Sequence, residues 1–355
     1  MRRIHLEVKP VNDACNLRCT YCFYNATDQQ LRTKMSEETL TLLLHQAKEY
    51  YGDGPFTLQW HGGEPLLRGL PFFRTAVEEA RSLNLKCTHL IQTNATLLTD
   101  AWIDFFLEHT FRVGISIDGD AAANQLRIYD NGVDSTDRVV RNILHARERG
   151  LDPAFLAVVS RVNVDRPEAV FDFFHRTLNV RRFEFSAIDF GSSVEHGVTS
   201  EEFATFMTRV FDRWTEVDDA DVRIRRLESM LIKLQGGGDH LCIFSHDCAA
   251  FLKVDAVGRI MHCSERGDQN FGNIHTTSLR AFAEGDVYAA FSAEVDAKTA
   301  ANPYCTGCEW LSVCEGGCYR NYSEEKKKDY LCDSYKALFP RLREWVHAHG
   351  GATVV

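Results

Sequence analysis

Ile4-His5-Leu6-Glu7-Val8-Lys9 and, a short turn later, Cys15-Asn16-Leu17-Arg18-Cys19-Thr20-Tyr21-Cys22 decide the reading of this chain. The first run alternates apolar and polar side chains at the period of a β-strand. The second, C-x3-C-x2-C, gathers three thiols in one loop directly after that strand. A loop this short can wrap three thiolates around one multi-iron group but cannot supply a fourth, so one metal position stays free for a ligand. A zinc site completed by a distant His or Cys is the alternative reading of the same spacing.

Outward from there, the strand pattern recurs at Phe56 to His61, Thr88 to Thr93, Phe111 to Ile117, Ala154 to Arg161 and Arg182 to Ile188. Between these runs lie stretches of helical period that open on capping-type residues near Ser36, Thr99, Ser135 and Asp165. Alternating βα units joined by right-handed crossovers predict an α/β fold, a partial (β/α)6 TIM-like barrel with its site at the C-terminal ends of the strands. After Gly236-Gly237-Gly238 the periodicity weakens and cysteines crowd. The division expected is a barrel over residues 1–235 and a small metal-held domain with a C-terminal helix over 236–355.

With 355 residues the chain has room for about two domains. Its 40 Lys and Arg against 50 Asp and Glu leave a net charge of -10, which disfavours a nucleic-acid partner. No run approaches the ~20 apolar residues of a membrane span, and the N-terminus lacks a signal segment, so no membrane partner is expected and a cytoplasmic location is. The 12 cysteines cluster at 15, 19 and 22, at 242, 248 and 263, and at 305, 308, 314, 318 and 332, with Cys87 alone. In a reducing compartment such clusters ligate metal. Cys87, at a strand start, reads as an apolar core thiol. His61-Gly62-Gly63-Glu64-Pro65, Gln92-Thr93-Asn94 and Ser116 all fall at strand ends facing the expected mouth.

The first cysteine loop resembles that of the radical S-adenosylmethionine enzymes, in which three cysteines hold a [4Fe-4S] cluster and the methionyl amine and carboxylate chelate the free iron. Electron transfer then cleaves the sulfonium to a 5'-deoxyadenosyl radical. Gly62 to Pro65 resembles the family's GGEP motif, whose glutamate contacts the cofactor amine. By this resemblance Tyr21, Gly62, Gly63, Glu64, Asn94, Ser116 and Arg141 line the cofactor, Arg127 being the second choice for an arginine on the methionyl carboxylate. The cysteines from 242 onward resemble a SPASM domain with two auxiliary clusters, for three [4Fe-4S] clusters in all. That implies Cys242, Cys248, Cys263 and Cys318 on one and Cys305, Cys308, Cys314 and Cys332 on the other; two structural zinc sites are the alternative.

Along nearly its whole length the chain most resembles anaerobic sulfatase-maturating enzymes. They share Lys9-Pro10, the Cys-Phe-Tyr at Cys22 to Tyr24, Gln92-Thr93-Asn94, Cys305 to Trp310 and Cys332 to Lys336. In those enzymes a radical on a Cys or Ser loses a proton to an aspartate and an electron to an auxiliary cluster, giving formylglycine. Ser264 stands where that aspartate is expected, and His61 where a glutamine is usual. The departures favour a maturase that oxidises a ribosomally made peptide and closes a C-C, C-O or C-S cross-link, with sulfatase maturation the alternative. Glu265 is the first candidate base, then His262, with Ser264 beside them. The partners implied are a peptide or protein substrate and an electron donor such as flavodoxin or ferredoxin. Because Cys15 lies so near the start, no leader-binding module is expected before it, and recognition falls to the barrel mouth, the Gly191 to Ser200 region or a separate protein. A non-enzymatic metal scaffold or electron carrier is the reading from another class.

Overall fold

The computed structural model describes residues 5–22, 24, 32–188, 193–238, 241–245, 250–262 and 271–349. Six parallel strands stand where the alternation places them: His5–Val8 (β1), Phe56–Trp60 (β2), Cys87–Thr93 (β3), Arg112–Ser116 (β4), Ala154–Val159 (β5) and Arg182–Ala187 (β6). Each is followed by helix: Glu37–Tyr51 (α1), Leu70–Ser82 (α2), Asp100–Glu108 (α3), Ala121–Asn124 (α4) with Thr136–Glu148 (α5), Pro167–Asp172 (α6) and Ser200–Val217 (α7). Local chemistry sets the helix starts. The Ser36 hydroxyl accepts the Thr39 N–H at 3.1 Å, and Thr199 and Glu202 close a reciprocal capping box on α7. α6 begins on Pro167, whose missing N–H costs nothing in a first turn, slightly later than the sequence suggests.

On α1, Leu40, Leu43, Leu44 and Ala47 are buried at helical spacing against strand residues such as Leu6, Val8 and Leu58. Each such leucine contributes about 1.5–3 kcal/mol over its exposed state. At the other side of the barrel a wedge of Phe171, Phe174, Phe183, Phe185 and Phe206 fills the space between β6 and its helices.

The sheet does not stop at the six strands. Arg223–Ile224 (β7) pairs in parallel with β6, and Arg225–Leu234 (α8) follows. At the opposite edge Phe251–Val254 (β8) pairs in parallel with β1, and Arg259–His262 (β9) and Gly272–Asn273 (β10) continue it antiparallel, giving ten strands. The remainder comprises Leu279–Ala283 (α9), Asp286–Lys298 (α10), Leu311–Cys314 (α11), a hairpin of Tyr322–Ser323 (β11) and Lys328–Asp329 (β12), and Cys332–Ala348 (α12). One apolar cluster runs from the barrel into Phe244, Trp310, Tyr335, Leu338 and Phe339. Apolar packing as well as any metal therefore holds the C-terminal part, which corrects the expectation of a domain held by metal alone.

Candidate active site

The C-terminal ends of the strands open into a solvent-connected cavity. Cys15, Cys19 and Cys22 line it from the loop after β1, with His61, Gly62 and Gly63 after β2, Gln92 to Asn94 ending β3 and Ser116 ending β4. Leu156, Val158 and Ile188 add apolar wall, and Arg320 and Asn321 reach it from the C-terminal part.

The cysteine loop is pinned from two sides. Arg18 and Thr20 donate backbone N–H groups to the carbonyls of Ile128 and Leu126, at 2.6 and 3.0 Å. On the other side Gly63 and Glu64 donate to the carbonyls of Asn12 and Ala14 at 2.7 and 2.8 Å. The approach leaves no room for a side chain, since a Cβ on Gly63 would stand 2.1 Å from the Ala14 oxygen. Leu17 N–H and Asn94 Nδ2 lie 3.3 and 3.6 Å from Cys15 Sγ, donors suited to a thiolate. Burial, and for Cys15 next the neighbouring Glu64, pushes the Cys15 thiol up to about 11; burial does the same for Cys19. Only a bound cation would ionise these sulfurs at neutral pH. No three His, Cys, Asp or Glu side chains among the described residues are close enough to share one ion. The thiols ring a common cavity instead, and a group of several irons takes one sulfur per iron.

Behind the loop sits a buried charge relay. Arg127 Nη1 donates to the Tyr21 hydroxyl at 2.5 Å, which donates to Asp118 Oδ2 at 2.6 Å; the guanidinium is 3.6 Å from Asp118 Oδ1. Burial pushes the Asp118 carboxyl up and Tyr21 well up, while Arg127, against the effect of its own burial, is raised by Tyr21, Cys19 and Asp118 around it. Arg127 lines the cavity. Arg141 does not: it is exposed on α5, with Nε directed to the Asp137 carbonyl one turn back. The arginine at the mouth is thus the second choice, because α4 and the bridge between Ile128 and Asp134 fold Arg127 inward.

Glu64 is also placed otherwise than expected. Its carboxylate is fully buried, accepts from Leu66 N, Thr93 Oγ1 and Asn94 N at 3.0, 2.8 and 2.7 Å, and is absent from the cavity wall. It braces the glycine loop against β3, with Oε1 accepting two hydrogen bonds and Oε2 one. His262 is buried at the end of β9, stacked on Phe291 at 4.3 Å and flanked by Phe271 and Tyr319, off the wall of this cavity. Ser264 and Glu265 lie outside the described residues, as do Cys248 and Cys263. Sequence reasoning missed the Asp118 and Tyr21 pairing; the run Ser116 to Gly119 was the available signal.

A second cavity collects Cys305, Cys308, Cys314 and Cys332, beside Lys328 and Lys336. Burial pushes Cys314 up to about 12. Cys242 opens a short 3-10 turn, and the Cys318 N–H donates to Asp329 Oδ2 at 2.6 Å. Cys87 is half-buried, with Sγ 3.5 Å from His89 Nε2.

Residues 10–174 match the family model described as the radical SAM superfamily. The chain carries a radical SAM domain. That superfamily implies a [4Fe-4S] cluster and S-adenosylmethionine, and the cysteine loop with its N–H donors fits them. The chain is 26% identical to the cysteine-type anaerobic sulfatase-maturating enzyme of Clostridium perfringens, over 96% of this chain and 98% of that one. The serine-type enzyme of Bacteroides thetaiotaomicron is likewise 26% identical, over 97% and 90%. Among solved structures, native anSMEcpe with bound AdoMet and Cp18Cys peptide superposes with a TM-score of 0.86, at 26% identity over 97% of this chain and 99% of that one. Streptococcus suis SuiB, at 18% identity and a TM-score of 0.62, shares the fold of the radical SAM domain and its neighbour, over 92% of this chain and 74% of that one. No helix among the described residues is long and apolar enough to cross a membrane.

Proposed function

We propose that the protein is a radical SAM maturase that oxidises a Cys or Ser side chain of a peptide or protein to formylglycine. What carries the reading is the likeness over 97% of the chain to a structure holding both AdoMet and a peptide, joined to an open cavity that the cysteine loop and the ends of β2 to β4 line together. The comparisons weigh for this reaction over the cross-linking that Ser264 and His61 suggested.

When bound, the cluster and S-adenosylmethionine supply the reducing electron and the carbon-centred oxidant that takes a hydrogen atom. The chain's own residues hold and orient. Cys15, Cys19 and Cys22 are the cluster ligands. Gly62 and Gly63 let the cofactor approach backbone, Asn94 and Ser116 offer polar contacts, and Arg127 presents its charge to a carboxylate. Tyr21 and Asp118 fix that guanidinium. Leu156, Val158 and Ile188 keep water from the reacting carbon. Cys305, Cys308, Cys314 and Cys332 hold a second cluster, and Cys242, Cys248, Cys263 and Cys318 a third. Such clusters would supply the one-electron acceptor that a net two-electron oxidation needs, with an external donor such as flavodoxin or ferredoxin for the first electron.

Cross-linking is the second reading, favoured by Ser264 where the sulfatase-maturating enzymes carry aspartate. Mass spectrometry of a sulfatase-type Cys peptide after anaerobic turnover separates the two. Formylglycine exchanges sulfur and two hydrogens for one oxygen, whereas a cross-link loses two hydrogens and keeps the sulfur. A peptide of unchanged mass, with no 5'-deoxyadenosine formed, overturns the maturase reading.

A further inference from the structure

The wall of the cavity carries one imidazole, that of His61, among the described residues. Its backbone N–H donates to the Val8 carbonyl at 2.9 Å, so the residue extends the β1–β2 ladder and its ring is held at the C-terminal rim of β2. Nδ1 is cut off from solvent and has no hydrogen-bond partner among the described residues. A buried ring nitrogen left unpaired costs about 1–3 kcal/mol, so a flip of the ring that turns Nδ1 to the cavity side recovers that energy when a polar group there pairs with it. The other acidic or basic wall groups are already engaged. Asp13 lies 3.2 Å from Lys9 Nζ, Tyr21 is held between Arg127 and Asp118, and the three cysteines are the metal ligands. Gly62 and Gly63 follow directly and lock against Asn12 to Ala14, which places His61 beside the cysteine loop.

We propose that His61 is the general base of the oxidation, a catalytic residue that takes the proton of the substrate thiol or hydroxyl. This rests on the maturase reading above. After hydrogen-atom loss the side chain is R–CH•–SH. It becomes R–CH=S when the S–H proton passes to the imidazole and one electron passes to a one-electron acceptor of the iron–sulfur class. Water then replaces sulfur to give R–CHO and hydrogen sulfide. Imidazole suits the task because its ring nitrogen can take a proton in general-base catalysis, which the hydroxyl of Ser264 does not do unaided.

The test compares cluster-loaded wild type with His61→Gln and His61→Ala, using a sulfatase-type Cys peptide. Aldehyde formed per 5'-deoxyadenosine is expected to fall about 100-fold in both variants, and Ser264→Asp added to His61→Gln is expected to restore a large part of it. A second readout needs no turnover. The Cys peptide should bind wild type about fivefold more tightly than its Cys→Ala analogue, one hydrogen bond's worth, and His61→Leu, which offers no acceptor, should abolish the difference. His61→Gln keeps a polar side chain of similar reach, so it stays informative where His61→Ala fails to fold. An unchanged ratio in His61→Gln, or a fall seen with Glu265→Gln in its place, overturns the assignment. A wild type that forms no aldehyde overturns the maturase reading instead, and the binding comparison still decides whether His61 meets the thiol.

Discussion

Glu64 shows how far a single buried side chain can depart from the part its motif suggests. Burial pushes its carboxyl up from 4.5 to about 7 despite three accepted hydrogen bonds. A raised carboxyl pKa means that the folded chain keeps a proton the unfolded chain has already released. The stability it brings is full below about pH 4.5, falls as the pH rises toward about 7 and is constant beyond. Glu64→Gln cannot titrate and turns an amide toward a donor. Its cost is therefore expected to be largest near pH 5 and to shrink by about 1–3 kcal/mol toward pH 8, read as the difference between wild-type and variant denaturant curves; a cost that grows with pH would contradict the placement. Arg127 and Asp118 act as a pair. Arg127→Met strands a buried carboxylate with only the Tyr21 hydroxyl and the Val158 N–H, and is expected to cost about 3–5 kcal/mol. Adding Asp118→Asn should recover part of that loss; simple additivity would show the two groups to be energetically independent.

The loop that carries Gly63 is the element on which the site turns. Gly63→Ala sets a Cβ against the Ala14 carbonyl at 2.1 Å, where backbone faces backbone and neither yields cheaply. The expectation is about 1–3 kcal/mol of destabilisation with loss of AdoMet cleavage, while Gly238→Ala, with nothing within 4 Å, stays near wild type. Equal behaviour of the two variants in cleavage assays and thermal melts would refute the locked-loop geometry. At this scale the sequence was informative where periodicity governs. The six central strands and the starts of α1, α3 and α5 lie close to where alternation and capping residues place them. β7 has two residues, too few to show a period, and the pairing of β8 with β1 joins distant segments that no local pattern announces. The site divides in the same way. Cysteine spacing points to ligands because a metal demands a residue type. The choice between Arg127 and Arg141, or the inward turn of Glu64, depends on partners supplied by other strands and loops.

Across the whole molecule the barrel and the C-terminal part share more than a linker. β8 lies on β1, α12 packs along α7 and α8, and the Phe211 and Trp345 rings meet with centroids 6.0 Å apart. Ser334 N–H donates to Ser200 Oγ at 2.8 Å, and the Tyr330 hydroxyl donates to the Val198 carbonyl at 2.8 Å. Arg226 bonds Glu184 of β6 through Nε at 2.9 Å, with the Tyr335 hydroxyl on its other side. These contacts bury polar groups from both parts against each other, so neither is satisfied alone. Arg320 and Asn321, from the C-terminal part, line the cavity at the strand ends. Residues 1–237 alone would expose the β1 edge and the apolar faces of α7 and α8. That fragment is expected to aggregate under conditions in which the full chain is folded. In the full chain, Phe339→Ala removes a fully buried ring and should cost about 3–5 kcal/mol. Because Trp60, Trp102 and Trp214 report on the barrel and Trp310 and Trp345 on the C-terminal part, replacing either set by Phe lets fluorescence follow each half through a melt. Phe339→Ala should lower both midpoints together. A barrel transition that keeps its midpoint while the C-terminal signal moves would mean that the shared sheet does not bind the two parts into one cooperative unit.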